Sequence, residues 1–220
     1  MADGPPVASS FGDDSHVIPE VRYGYFQQLG NTDWLIGFRF SYSYLGAKSS
    51  TSDLIIPQYG TSSNAGVSTF TGYSVTNSYS VAIRHQTSAL LFVGHSFGQG
   101  FVYAGAGPSF SQIKVELDGV VGYATINGVL TDISGAPQSF SSSDWRLGAT
   151  ATAGVVHFLT PSWFVDLSYM FTAPDARTAL FTSAFDNPGS PSTFAGTLIG
   201  TATANVRHTQ AIMVSLNKAF

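Results

Sequence analysis

Ser96 stands in Gly94-His95-Ser96-Phe97-Gly98, a match to G-x-S-x-G, and Asp166 and His208 follow in the chain order of an α/β-hydrolase triad. In that chemistry the histidine takes the serine proton and the aspartate orients the histidine. The motif works only on a strand, a sharp elbow and a helix. Here the run is strand, tight turn and strand, with no helical period downstream. Ser96 therefore reads as a small residue on an interior sheet face beside Gly98-Gln99-Gly100. A lipid hydrolase acting on an outer face would need a serine beside its histidine, and His208-Thr209, the nearest approach, lacks one. The five histidines, His16, His85, His95, His157 and His208, offer no helical i, i+4 pair for zinc. They read as contacts with a surface or with lipid headgroups. Gly105-Ala106-Gly107 resembles half a phosphate loop, but no lysine and no helix follow, so it reads as wall glycines. With no cysteine in the chain, thiolate metal sites and disulfides are excluded. We expect no catalytic residue, no metal and no cofactor.

The arginines offer different chemistry. Arg22, Arg39, Arg84, Arg146 and Arg207, five of the nine basic residues, each stand in alternate positions shared with small polar residues, and Glu20 and Asp166 share that placement. Two readings follow. A polar interior braced by ion pairs holds a narrow barrel rigid. Alternatively, five arginines against two carboxylates line a narrow path that favours anions, since arginine rings select that sign.

The elements that hold these side chains alternate with a period of two. In WLIGFRFSYSY, Trp34, Ile36, Phe38, Phe40, Tyr42 and Tyr44 share one parity; Leu35, Gly37, Arg39, Ser41 and Ser43 share the other. Successive side chains of a strand point to opposite faces, so one face is large and apolar and the other small and polar. The pattern recurs around Val21, in 79–93, in WRLGATATAGV from Trp145, in WFVDLSYMF from Trp163, and toward Phe220. Between 101 and 117 the glycines leave room for Tyr103 to turn inward. Seven strands are expected, about 15–29, 34–46, 73–97, 101–117, 142–159, 163–173 and 203–220. Tight turns fall at Gly30-Asn31-Thr32-Asp33, Gly98-Gln99-Gly100 and Thr160-Pro161-Ser162. Long polar links at 47–72, 118–141 and 174–202 alternate with them, so one end would carry turns and the other long external loops.

Composition decides which face meets which solvent. Only 10% of the 220 residues are charged and 44% are hydrophobic, against roughly 25% charged in an average soluble domain. The net charge of -4 gives no reason to expect nucleic acid. An aromatic face turned to water over this many strands would expose far more than the few hundred Å² a monomer tolerates. If the outside is hydrocarbon, the assignment works. Strands can span lipid only when their backbone groups are paired, which requires closure. Trp34, Trp163 and Phe220 then mark the interface by the turns, and Tyr42, Tyr44 and Trp145 the interface toward the loops. The expected fold is an all-β, antiparallel, up-and-down transmembrane β-barrel of the eight-stranded type. Residues 1–14 are expected to be a flexible segment ahead of a barrel over 15–220, since their Pro, Gly and Asp make a poor strand. Met1-Ala2-Asp3-Gly4-Pro5-Pro6 lacks the basic start and apolar core of a signal peptide. With one strand short of eight, a gap or strained closure is expected between 15–29 and 203–220.

The terminal stretch QAIMVSLNKAF ends in phenylalanine after alternating apolar residues and resembles the signal by which outer-membrane barrels are recognised for insertion. Lys218 occupies a position that is usually aromatic or apolar there. FVYAGAGPSF, DWRLGATATAGVVHFLTPSWFVDLSYMF and VRHTQAIMVSLNKAF resemble segments of the alphaproteobacterial small-porin or OmpA-like barrels. The resemblance covers most of 15–220. It implies a barrel in the bacterial outer membrane, in contact with outer-membrane lipids and with the barrel-insertion machinery; a monomer is the expected state, which the sequence leaves open. It also implies a structural and surface-interaction role.

Overall fold

A computed structural model describes residues 2–3, 17–62, 68–126, 128–175, 177–187, 194–204 and 208–220. The strands in chain order are β1 (Ala2–Asp3), β2 (Glu20–Gln28), β3 (Trp34–Ser62), β4 (Ser68–Phe97), β5 (Gly100–Ile126), β6 (Val129–Asp132), β7 (Gln138–Thr160), β8 (Trp163–Pro174), β9 (Arg177–Asn187), β10 (Phe194–Ala204) and β11 (Thr209–Lys218). The chain is all-β. The long strands form one antiparallel up-and-down sheet in the order β2-β3-β4-β5-β7-β8-β11, each paired with its neighbour in sequence along that path. β9 and β10 make a separate two-stranded hairpin.

The three tight turns lie where the spacing of Gly, Asn and Pro puts them. Gly30 and Gly98 take left-handed φ values of 57° and 48°, a conformation that costs glycine nothing. Thr160 Oγ1 accepts from the backbone N–H of Trp163 at 3.0 Å and so fixes the third turn. Ser96 N donates to Asp33 O at 2.7 Å and Phe158 N to Gln99 O at 2.8 Å, which stitches neighbouring turns into one rim.

At the opposite end the structure departs from expectation. Residues 47–62 and 68–72 belong to β3 and β4 rather than to a loop, and most of 118–141 belongs to β5, β6 and β7. The link at 174–202 contains β9 and most of β10, so the last long strand starts at Thr209 rather than 203. Serine and threonine fit a pleated surface as well as a loop, and cross-strand pairing, not apolar content, extends these strands. Ala2 and Asp3 pair with Gly60 and Tyr59 of β3, while the rest of 1–14 lies outside the described residues.

The sheet is not closed by a ladder. β2 pairs with β3 and β11 with β8, and no pairing joins β2 to β11 among the described residues. It is nonetheless strongly curled, because side chains of β2 reach those of β8 and β11 across the interior.

The enclosed face is layered. Nearest the turns, Leu35, Phe101, Tyr103 and Val156 pack with Phe26, Phe92, Phe158 and Phe164. Phe26 and Phe101 stand 5.1 Å apart and Phe158 and Phe164 5.4 Å apart, close enough for tilted aromatic contact. A polar layer follows. Beyond it, Tyr79, Val81, Ile113, Val115, Ala179 and Phe181 form a second apolar cluster with Leu54, Leu117 and Phe140. Ala179 and Phe181 come from β9, so the hairpin lies against the interior face at the end away from the turns. Tyr79, Val81 and Ile83 belong to the large apolar parity of the 79–93 pattern, which puts them on the outer face, but they are buried. The cause is a β-bulge. Gln86 pairs with Ser111 and Ile83 with Ile113, so Arg84 and His85 together oppose Gln112 and the parity of β4 reverses.

Candidate functional site

The polar layer is built by residues of the small parity on all seven long strands, β2, β3, β4, β5, β7, β8 and β11. Asp166 of β8 is its centre. Its Oδ2 accepts from Arg22 Nη1 at 2.9 Å and from Arg39 Nη1 at 3.4 Å, and Tyr103 Oη donates to its Oδ1 at 2.9 Å. Arg39 also donates to Tyr103 Oη at 2.9 Å and to Thr152 Oγ1 at 3.2 Å, and its guanidinium carbon lies 5.5 Å from the Tyr103 ring centre. Arg22 Nε pairs with Glu20, whose second oxygen accepts from Ser43 Oγ at 2.6 Å. Arg22 Nη1 further reaches Ser168 at 3.4 Å and Ser215 at 3.3 Å.

These charges are withdrawn from water: the side chains of Glu20, Arg22, Asp166 and Arg39 are 3%, 7%, 7% and 10% exposed. Two guanidinium groups oppose two carboxylates, so the cluster carries no net charge. That balance is what a low-dielectric interior demands, since an unpaired buried charge is far costlier than a paired one. Arg22 Nη2 and Arg39 Nε are buried and have no hydrogen-bond partner among the described residues.

Of the seven residues expected in the network, the structure brings Glu20, Arg22, Arg39 and Asp166 together. Arg84 is a correction: the bulge turns it outward and it is exposed. Arg146 keeps the interior parity, but its Nη2 pairs with Asp144 at 3.2 Å, its neighbour two positions away. Arg207 and His16 lie outside the described residues. The network also recruits hydroxyls that have no motif. Ser41 and Ser88 bond each other at 2.7 Å, and Gln86 Nε2 donates to Thr172 Oγ1 at 3.2 Å. Their signal in the sequence is their parity, shared with the arginines. Gly154 makes room for Tyr103: a Cβ there would sit 2.8 Å from the Tyr103 hydroxyl.

The hydrolase elements stay apart. Asp166 is committed to the interior network, Ser96 sits two residues from the Gly98 turn, and His208 is exposed with its ring stacked 5.2 Å from Phe171. Among the described residues no three His, Asp or Glu side chains are grouped to hold a metal ion.

The outer face carries the complementary feature. Val21, Tyr23, Ile36, Phe40, Leu91, Val102, Leu147, Leu167, Ile212 and Val214 are all exposed, and together they form an apolar belt on all seven long strands. Trp34, Trp163 and Phe220 are exposed at the turn end of this belt, and Tyr42, Tyr44 and Trp145 at the other. Lys218 Nζ lies 5.9 Å from the Trp163 ring and 5.1 Å from the Phe220 ring. Tyr42 Oη is 2.7 Å from His85 Nδ1, which anchors the far rim. The chain matches no family model, no curated protein and no solved structure.

Proposed function

We propose that the protein is a bacterial outer-membrane β-barrel with a structural and surface-interaction role. The observation that carries this reading is the inversion of the sheet. A belt of large apolar side chains is exposed on every long strand, while the middle of the enclosed face, between its two apolar clusters, is a layer of ion pairs and hydroxyls. In water such a belt would be an aggregation surface; in a bilayer it is the required exterior. Aromatic rims at both ends of the belt fit the two lipid interfaces. The edges of β2 and β11 then need backbone partners, because each unsatisfied group costs several kcal/mol in hydrocarbon. A strand set between them, antiparallel to both, would supply those partners and complete an eight-stranded barrel.

A structural role is favoured over solute passage. Aromatic side chains pack across the interior at the turn end, and the apolar cluster with β9 occupies the other. The charges between them are balanced, so among the described residues this layer offers no arginine excess to attract anions. Spin labels at Ile36, Leu167 and Val214 of the protein in lipid vesicles test the membrane reading. A lipid-soluble quencher should reach them and should not reach labels at Ser41, Ser168 and Ser215. The reverse pattern would sink it. Planar-bilayer recording should show no steady conductance; a stable anion-selective current would establish the channel instead.

A further inference from the structure

Just beyond the aromatic rim away from the turns, the outer face changes character. Ala82 pairs with Lys48 on one side and with Lys114 on the other, so the two lysines flank a small residue in one row. The next row brings Ser50, Ser80 and Glu116 side by side. Arg84, thrown outward by the bulge, is exposed immediately next to His85, whose ring lies 5.3 Å from Tyr44. Glu116 accepts from Lys114 and lies 3.8 Å from Lys48. Its carboxyl is held below the ordinary value first by the Lys114 hydrogen bond, against a smaller opposing effect of burial, and then by the charges of Lys114, Lys48 and Arg84. All three cations therefore act on one spot. An open cleft of about 400 Å³ adjoins it, lined by Lys48, Ser78, Ser80, Glu116 and Asp118 among others. Asp118 accepts from Ser139, so three cations face two carboxylates.

We propose that this patch binds the phosphate of an anionic lipid headgroup, an inference that rests on the membrane reading above. The apolar belt fixes the height. Side chains one or two rows past the Tyr42–Tyr44–His85 rim meet the headgroup layer, where phosphate is the dominant acceptor. Lysine and arginine near an anionic surface attract it additively. Serine hydroxyls in the cleft supply neutral donors. The bulge is the device that builds the site, because a regular β4 would have turned Arg84 into the interior.

The test uses the full chain folded in zwitterionic micelles, with short-chain phosphatidic acid, short-chain phosphatidylcholine and inorganic phosphate as probes in calorimetric titrations. Phosphatidic acid should bind at least about tenfold tighter than phosphatidylcholine, since only it presents a phosphate free of a tethered cation. Each cation removed should weaken it roughly fivefold, so the combined K48Q, R84Q and K114Q variant should lose about a hundredfold. E116Q should move the other way and tighten binding. Should the triple variant fail to fold, R84Q alone alters only an exposed side chain and should still show its fivefold loss. Equal binding of the two lipids, or unchanged binding in these variants, overturns the proposal. Inorganic phosphate binding as tightly as phosphatidic acid overturns it too, by showing a free-ion site. Spin labels at Ile36 in the same samples separate the two ideas. Labels out of reach of a lipid-soluble quencher defeat the membrane reading, whereas quenched labels with equal lipid binding defeat only this one.

Discussion

Arg22 Nη1 donates to Asp166 Oδ2 at 2.9 Å across 144 positions of sequence. The two residues sit on β2 and β8, near opposite ends of the strand order, so this bond spans the interior and records the curl of the sheet. It also ties an edge strand to the rest: among the described residues β2 has a single ladder, to β3.

Asp166→Ala should therefore be severely destabilising. It leaves Arg22 and Arg39 buried without their shared carboxylate, a change that typically costs about 3–5 kcal/mol. Urea unfolding of the protein in micelles measures the loss. A change within experimental error would mean that the arginines find other partners or water.

Gly154→Val should displace the Tyr103 hydroxyl, since even a Cβ would approach it to 2.8 Å and Leu167 O equally closely. Overpacking of this kind costs about 1–3 kcal/mol. Combining it with Tyr103→Phe, which removes the clashing oxygen, should recover part of the loss in a double-mutant cycle. Strict additivity would show that the glycine serves only backbone approach.

Amide hydrogen exchange should distinguish the edges from the middle of the sheet. In β2 and β11, amides pointing away from β3 and β8 have no ladder partner among the described residues, whereas β4 and β5 each lie between two strands of the sheet. Alternate residues of Glu20–Gln28 and Thr209–Lys218 should exchange fastest among the long strands. Uniform protection would reveal a closed ladder.

Acid should weaken the extension beyond the rim through Glu116. Its folded-state pKa lies below the ordinary 4.5, so it contributes stability above that value and loses it as pH falls through the depressed one. The thermal midpoint of the wild type should fall over that window more than the midpoint of Glu116→Gln. Parallel pH profiles for the two proteins would contradict the assignment.

The alternation of Trp34 to Tyr44, and of the segments around Trp145 and Trp163, determined the strands, their two faces and the tight turns. A period of two is local information, carried by side-chain size alone. The same parity pointed Tyr103, Arg22, Arg39, Glu20 and Asp166 to one face, but not to one another. Their meeting depends on how far the sheet curls, which no single strand encodes. Arg84 shows where parity fails. One extra residue in β4 reverses the faces beyond it, and that residue is defined only by the pairing of Gln86 with Ser111 and Ile83 with Ile113. The Ser- and Thr-rich stretches read as loops because they lack apolar contrast, yet pairing with β4 holds 47–62 as strand, and pairing with β4, β6 and β7 holds 118–126. The hairpin that brings Phe181 onto Val115 and Phe140 was equally illegible. Such long-range contacts are fixed by tertiary packing, after local propensity has had its say.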